Sequence, residues 1–140
     1  MEITSISNGV IIDHLKAGSG LKVLEHLNIN TNADSVALIM NAKSEKHGKK
    51  DIIKLQNVDN IDLNVLGLIN HTATIIYIEN DEIVKKIHVE LPITVTNVLK
   101  CRNPRCVTSI ESVPHVFHLA DNTGRYRCEY CDNILKGNEY

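Results

Sequence analysis

The chain has 140 residues, with 15 Lys+Arg against 17 Asp+Glu and a formal net charge of −2. That length suits one ordinary domain or two small ones, and that balance gives no global basic field to draw the chain to nucleic acid or membrane. No apolar run approaches the length of a membrane span, and the start, MEITSISNG, lacks a basic region followed by an apolar stretch, so neither a span nor a secretory signal is expected and the expected compartment is the cytoplasm.

In chain order, Gly9 to Leu15 (GVIIDHL) reads as a strand ending in polar residues. Ser19 is placed to cap a helix carrying Leu21, Leu24 and Leu27 at helical spacing. Val36 to Met40 (VALIM) is a continuous apolar run, expected to be a buried strand, with a hint of self-association. The polar stretch NAKSEKHGKK reads as a hairpin loop, and Asp51 to Val58 as the next strand. Asp59 to Asn70 carries Ile61, Leu63, Val65, Leu66 and Ile69, with Asp62 near its start, and reads as a short helix. Ala73 to Ile78 is a strand, Glu79-Asn80-Asp81 a turn, and Glu82 to Val89 another strand. The apolar mass is Ile, Val and Leu, as strands packed on helices require. The order is β-α-β twice plus a hairpin strand. This predicts an α+β fold with a ferredoxin-like (split βαβ) N-terminal domain, its sheet antiparallel and both helices on one face.

All four cysteines lie after residue 100. Leu91-Pro92 and Asn103-Pro104 flank the change in composition, so a boundary is expected near residues 91–97, giving units 1–92 and 93–140. The first carries 9 Lys against 12 Asp+Glu, or −3; the second carries 6 Lys+Arg against 5 Asp+Glu, or +1. The second unit is too short to make a good core alone and needs a staple. Its cysteines read C-x4-C (Cys101, Cys106) and C-x2-C (Cys128, Cys131). Two such knuckles close a tetrahedron of thiolates around Zn²⁺, and in a cytoplasmic protein clustered thiols point to metal before disulfide. With all four positions filled by protein the ion is structural, and its binding energy becomes folding energy for a small β-rich, zinc-ribbon-like domain. His115 and His118 form an H-x2-H pair between the knuckles. Four Cys already complete the shell, so both read as ordinary loop histidines.

Four polar residues interrupt apolar strands of the first unit: Asp13 and His14 at the end of the first, Lys54 in DIIKL, and Lys86 in IVKKIHV. An Asp holds ribose hydroxyls, and Lys or protonated His meets phosphate oxygens. Each also has a plain reading as an exposed strand residue. Gly18-Ser19-Gly20 lacks the full glycine fingerprint of a nucleotide loop. His88-Val89-Glu90 matches the H-x-E of zinc deaminases, but those need Pro before C-x2-C, and Arg127 stands there. Arg102, Arg105, Arg125 and Arg127 lie near the cysteines. They open the alternative of a nucleic-acid-binding zinc-ribbon adaptor, against which stands the lack of a basic stripe with stacked aromatics.

GVIIDHL, GKKDIIKLQN, NVLKC and the two cysteine pairs, in this order over essentially the whole chain, resemble the regulatory chain of aspartate carbamoyltransferase. The resemblance implies a non-catalytic allosteric subunit of pyrimidine biosynthesis. Its first domain binds nucleotides (CTP and UTP inhibiting, ATP activating) and pairs with a second regulatory chain. Its zinc domain docks on the catalytic chain. It further implies nucleotide contacts from Asp13, His14, Lys54 and Lys86, a base and sugar pocket from Ile3, Thr4, Ser5, Ile6, Ile11, Ile52, Ile78 and Ile83, and phosphate contact by Lys50. The ligands Cys101, Cys106, Cys128 and Cys131 match completely, and Asn103, Arg105 and Asp132 fall at the contact with the catalytic chain. Ile76 and Asp81 depart from the Asn and Tyr of an enterobacterial-type chain, which bears on base selectivity.

Overall fold

A computed structural model describes residues 6–27, 35–45, 48–58 and 60–137. The first unit is built from β1 (Gly9–Lys16), α1 (Gly20–His26), β2 (Val36–Ser44), β3 (Gly48–Gln56), α2 (Leu63–Ile69), β4 (Thr74–Glu79) and β5 (Glu82–His88). Its strands form an antiparallel sheet in the order β2-β3-β1-β4-β5. This is the split βαβ arrangement with β5 added as a hairpin strand. The turn Asn80-Asp81 has φ of 52° and 66°, the left-handed pair that suits a tight hairpin.

One face of the sheet is dry. Val10, Ile12, Leu15, Ile53, Leu55 and Ile75 pack there with Val23 of α1 and Leu66 of α2. The alternate residues Ile11, Ile52, Lys54 and Ile76 lie half-buried on the opposite face, as period-2 alternation requires. Register shifts interrupt that alternation in three places among the described residues, one between Tyr77 and Ile78 where β4 pairs with β5 and two bulges beside Asp51. Ile12 pairs with Ile53 and Leu15 with Asp51, so an extra residue stands on β1, and His14 takes φ 58°. The bulge returns Leu15 to the core and keeps His14 out of it. A second lies between Ile39 and Ala42 on β2, with Asn41 at φ 60°.

Asp51 sits between the two bulges, fully buried. Its carboxylate accepts hydrogen bonds from the backbone N–H groups of Gly18 (3.0 Å), Gly20 (2.9 Å) and Asn41 (3.0 Å). One side chain therefore fixes the start of α1 and the irregular part of β2. Ser19 does not cap α1 as its sequence suggests. Its hydroxyl donates to the Lys16 carbonyl, and Asp51 receives the Gly20 amide instead. Leu21 is exposed, and Val23 is the buried side chain that α1 sends into the core, beside buried Gly20. Asp62 does cap α2, accepting from the N–H groups of Asn64 and Val65. The VALIM segment also departs from expectation: β2 is an edge strand, half-buried along Val36 to Ile39, with Met40 exposed.

The second unit is a four-stranded antiparallel sheet, β6 (Thr94–Thr96), β7 (Val116–Leu119), β8 (Arg125–Cys128) and β9 (Ile134–Lys136), with a 3₁₀ turn at Val107–Ser109. Phe117, Tyr126, Val95, Leu99 and Leu135 make its core together with Leu68 of α2. α2 thus serves both cores, Leu66 facing one and Leu68 the other. Gly67 lies between them against the Glu90 carbonyl, and a Cβ there would stand 2.2 Å from that oxygen.

Asp51→Ala should lower unfolding stability by about 3 kcal/mol, because three backbone N–H groups, one of them buried, lose their side-chain acceptor. Urea titration followed by far-UV circular dichroism reads this; a loss below about 1 kcal/mol would show that the carboxylate does not carry that connection.

Candidate functional site

The four cysteines converge. Their sulfurs all lie within 4.8 Å of one another, with Cys101–Cys131 at 3.6 Å and Cys106–Cys128 at 3.8 Å. A tetrahedron of thiolates at the 2.3 Å zinc–sulfur distance has edges of about 3.8 Å, whereas a disulfide closes to about 2.05 Å. The spacing fits a shared ion and excludes cross-links among these four sulfurs.

Local turns build each knuckle. In the first, the Cys106 N–H donates to the Asn103 carbonyl and the Ser109 hydroxyl to the Cys106 carbonyl. In the second, the Asp132 N–H donates to the Cys128 carbonyl, with Asp132 at φ 61°. Burial pushes the Cys101 thiol up to about 12 and raises Cys128 as well. The hydroxyl and N–H of Thr108 pull Cys106 down to about 7. The Thr108 hydroxyl is buried and has no hydrogen-bond partner among the described residues; a thiolate at Cys106 holding a metal would give it an acceptor. Four thiols so placed cannot all ionise against one another, and a divalent cation removes the conflict.

His115 and His118 stand outside this cluster. His115 is more than a loop residue: its Nδ1 accepts the Cys101 N–H at 3.1 Å, and its own N–H donates to Asn97 Oδ1. It braces a ligand from behind, a role that H-x2-H spacing does not reveal. His118 bridges Thr94 and Glu129. Two of the nearby arginines are paired with acids, Arg127 with Asp132 at 2.7 Å and Arg125 with Asp121 at 3.8 Å. His88 Nδ1 is engaged by the Thr74 hydroxyl, and neither His88 nor Glu90 joins the metal-type cluster.

In the first unit, the polar residues that interrupt the strands share the open face of the sheet. Register places Lys54 beside Ile11, Ile11 beside Ile76, and Ile76 beside Lys86. The two lysines therefore bracket an apolar pair across three strand spacings, about 14 Å. Ile78 pairs with Ile83 in the neighbouring row. Ile6 and Lys54 line one depression of about 560 Å³. At the β1 bulge Asp13 receives Lys50 Nζ at 2.9 Å and the His14 N–H at 2.7 Å. Partial burial pushes its carboxyl up, but Lys50 and the His14 N–H outweigh it and hold it below the usual carboxylate value. His14 Nδ1 lies 3.2 Å from the Thr74 hydroxyl, which also meets His88. Ile83 and Lys86 are exposed on edge strand β5; Ile3, Thr4 and Ser5 lie outside the described residues.

The metal-type centre and the lysine-framed face are separate, joined through α2 and the segment that follows β5. Tyr126, buried on β8, donates its hydroxyl to the Pro92 carbonyl at 2.7 Å and pins that segment to the second core. Asn103, Arg105 and Asp132 gather on the knuckles, Arg105 and Asp132 exposed, with Arg105 N–H donating to Asn103 Oδ1.

Residues 1–90 match the family described as the aspartate carbamoyltransferase regulatory chain, allosteric domain, and residues 93–140 match that chain's metal binding domain. Similar proteins include the aspartate carbamoyltransferase regulatory chain of Clostridium botulinum (strain Hall), 52% identical over 99% of this chain and 97% of its own. Those of Clostridium acetobutylicum (50%, covering 98% and 95%) and Bifidobacterium longum (47%, covering 97% and 99%) are similar too.

Burial raises the Tyr126 phenol to about 12, against an ordinary value near 10. A raised pKa contributes stability that is whole below the unfolded value and is lost as pH climbs through the folded one. Stability should therefore fall between pH 10 and about 12, and Tyr126→Phe should flatten that fall while costing about 1 kcal/mol at pH 7 from the unanswered Pro92 carbonyl. Denaturant midpoints across this range measure both; an identical pH slope in the variant would contradict the assignment.

Proposed function

The chain belongs to the aspartate carbamoyltransferase regulatory-chain family, and on that premise we propose that it senses nucleotides on the sheet of residues 1–92 and passes their effect through residues 93–140 to the catalytic chain. It is the regulatory, non-catalytic subunit of that enzyme. The observation that carries the proposal is a division of labour. Charge suited to a nucleotide lies on one sheet, the four thiols lie in the other unit, and a single helix packs into both cores.

In this reading the effectors are CTP and UTP as inhibitors and ATP as activator. Lys86 and His14 meet the phosphates, Lys50 assisting. Asp13 and Lys54 hold the ribose side, and Ile6, Ile11, Ile52 and Ile83 flank base and sugar. Ile76 offers the nucleotide an apolar surface between Lys54 and Lys86, so selectivity for the base falls to neighbouring backbone groups. Cys101, Cys106, Cys128 and Cys131 hold one structural Zn²⁺ with no position left for substrate. The ion supplies folding energy, about 10–16 kcal/mol in zinc-finger peptides. It keeps Asn103, Arg105 and Asp132 displayed toward the catalytic chain. Regulatory chains pair through the first unit, and edge strand β2, with Met40 exposed, offers the apolar border for it. The working compartment is the cytoplasm.

Transmission follows from packing. β1 and β4 run beneath the nucleotide residues, and their other face packs on Leu66 of α2. Leu68, two positions on, belongs to the zinc unit's core. A ligand that prefers one setting of the sheet biases how the zinc unit stands, by no more than its affinity difference between the two settings. A coupling of about 1–3 kcal/mol changes activity several-fold or more.

Lys86→Ala and Lys54→Ala should each weaken CTP binding about 10- to 100-fold through loss of a charge-assisted contact, with zinc content unchanged; calorimetry on the isolated chain measures it, and undiminished binding in both variants would remove the sheet face as the site. Chelation should release the catalytic chain while CTP still binds the first unit. Gel filtration showing the complex intact after complete zinc removal would refute the docking role of the metal.

A further inference from the structure

The four thiols are not held alike. Cys106 and Cys128 are buried, and their N–H groups donate to the backbone carbonyls of Asn103 and Asn133. Cys128 lies within β8, and its sulfur accepts from the N–H groups of Tyr130 and Cys131. Cys101 differs on each count. It is half-buried, it lies outside every helix and strand, and its N–H donates to a side chain, Nδ1 of His115.

That side chain is itself fastened. His115 directly precedes β7, and Asn97 directly follows β6. The Asn97 N–H donates to the His115 carbonyl at 2.7 Å, and the His115 N–H donates to Asn97 Oδ1 at 2.9 Å. Asn97 takes φ 58°, a left-handed setting that Asn tolerates better than most residues. Leu99, between Asn97 and Cys101, is fully buried in the second core. The approach to the first knuckle is therefore anchored at Asn97, at Leu99 and, next to the sulfur, at the imidazole.

A closed four-sulfur centre exchanges its ion one bond at a time. A competing chelator enters where one thiolate leaves first, so the least restrained ligand sets the rate. Burial and backbone bonding hold Cys106 and Cys128 in place. Cys101 has the imidazole instead. Partners behind a ligand commonly change metal retention by tenfold or more when removed.

We propose that His115, on the reading of this centre as a zinc site, is a positioning residue that holds Cys101 on the ion and so sets how fast the metal leaves. Exchange opens at Cys101. The role belongs to the lone pair on Nδ1, not to the bulk of the ring.

The test mixes the full zinc-loaded chain with excess pyridylazoresorcinol and follows zinc transfer by absorbance. His115→Phe keeps a ring and removes the acceptor. It should release zinc about tenfold faster than wild type. In His115→Asn the amide oxygen stands the same number of bonds from Cα as Nδ1, so this variant should release zinc at close to the wild-type rate. Hydrogen exchange read by NMR should quicken at the Cys101 amide in His115→Phe and stay unchanged at Cys128. Equal release from wild type and His115→Phe would overturn the proposal. So would a His115→Asn variant as fast as His115→Phe, which would assign the effect to ring packing. If His115→Phe does not fold with zinc, Asn97→Gly takes its place. That variant keeps the left-handed backbone and removes the oxygen that holds the His115 N–H; faster release supports the proposal, and the wild-type rate overturns it. A wild-type chain purified without zinc would remove the zinc reading and this role together, whereas unaltered release from zinc-loaded variants removes the role alone.

Discussion

Four sulfurs held within 4.8 Å of one another are the constraint on which the second unit depends. Two of its strands are only three residues long and another two are four, and its core is one Phe, one Tyr and a few aliphatics. Burial on that scale does not offset the conformational entropy of ordering 48 residues, at roughly 1–2 kcal/mol each for backbone alone. A cation shared by the sulfurs closes the loop between Cys106 and Cys128 and relieves the repulsion that ionised thiols would otherwise feel. The surface that carries Asn103, Arg105 and Asp132 exists because the knuckles beneath it are clamped.

The first unit solves a different problem. Its sheet must keep one face dry while the other presents charge to solvent. Two bulges and one buried carboxylate achieve this. The β1 bulge moves His14 off the core face while returning Leu15 to it, and Asp51 satisfies the backbone groups that the irregular segments leave over. The irregularity falls beside the lysine-framed face of the sheet, and bulges are common beside functional sites. α2 then links the two solutions. Opposite sides of one short helix serve separate cores, and Gly67 lets the chain after β5 pass against it without a side chain intervening. A helix packed this closely moves as a unit with whatever shifts either core.

What could be read from residues alone was whatever a period or a spacing encodes. The two cysteine pairs announce their convergence, and the strand-helix alternation of residues 9–89 yields the split βαβ order. Asp62 ahead of an apolar run marks a helix start. What could not be read depends on contacts distant in sequence. VALIM is apolar enough for a central strand, yet it lies at the edge because β3 inserts beside β1. Ser19 has the identity of a cap, but Asp51, 31 positions from Gly20, takes that amide. His115 looks idle in the chain and becomes a brace only when β7 lies beside the first knuckle. Lys54 and Lys86 are individually unremarkable as strand lysines. Register alone brings them into one row.

The central claim is that a single zinc ion completes the four-thiol centre and thereby the surface offered to the catalytic chain. X-ray absorption at the zinc edge of the purified chain tests it most directly. The account predicts one zinc per chain with a single shell of four sulfurs at about 2.3 Å. A shell containing nitrogen or oxygen ligands, or a metal-free protein whose sulfurs scatter from one another at the disulfide distance, would contradict it.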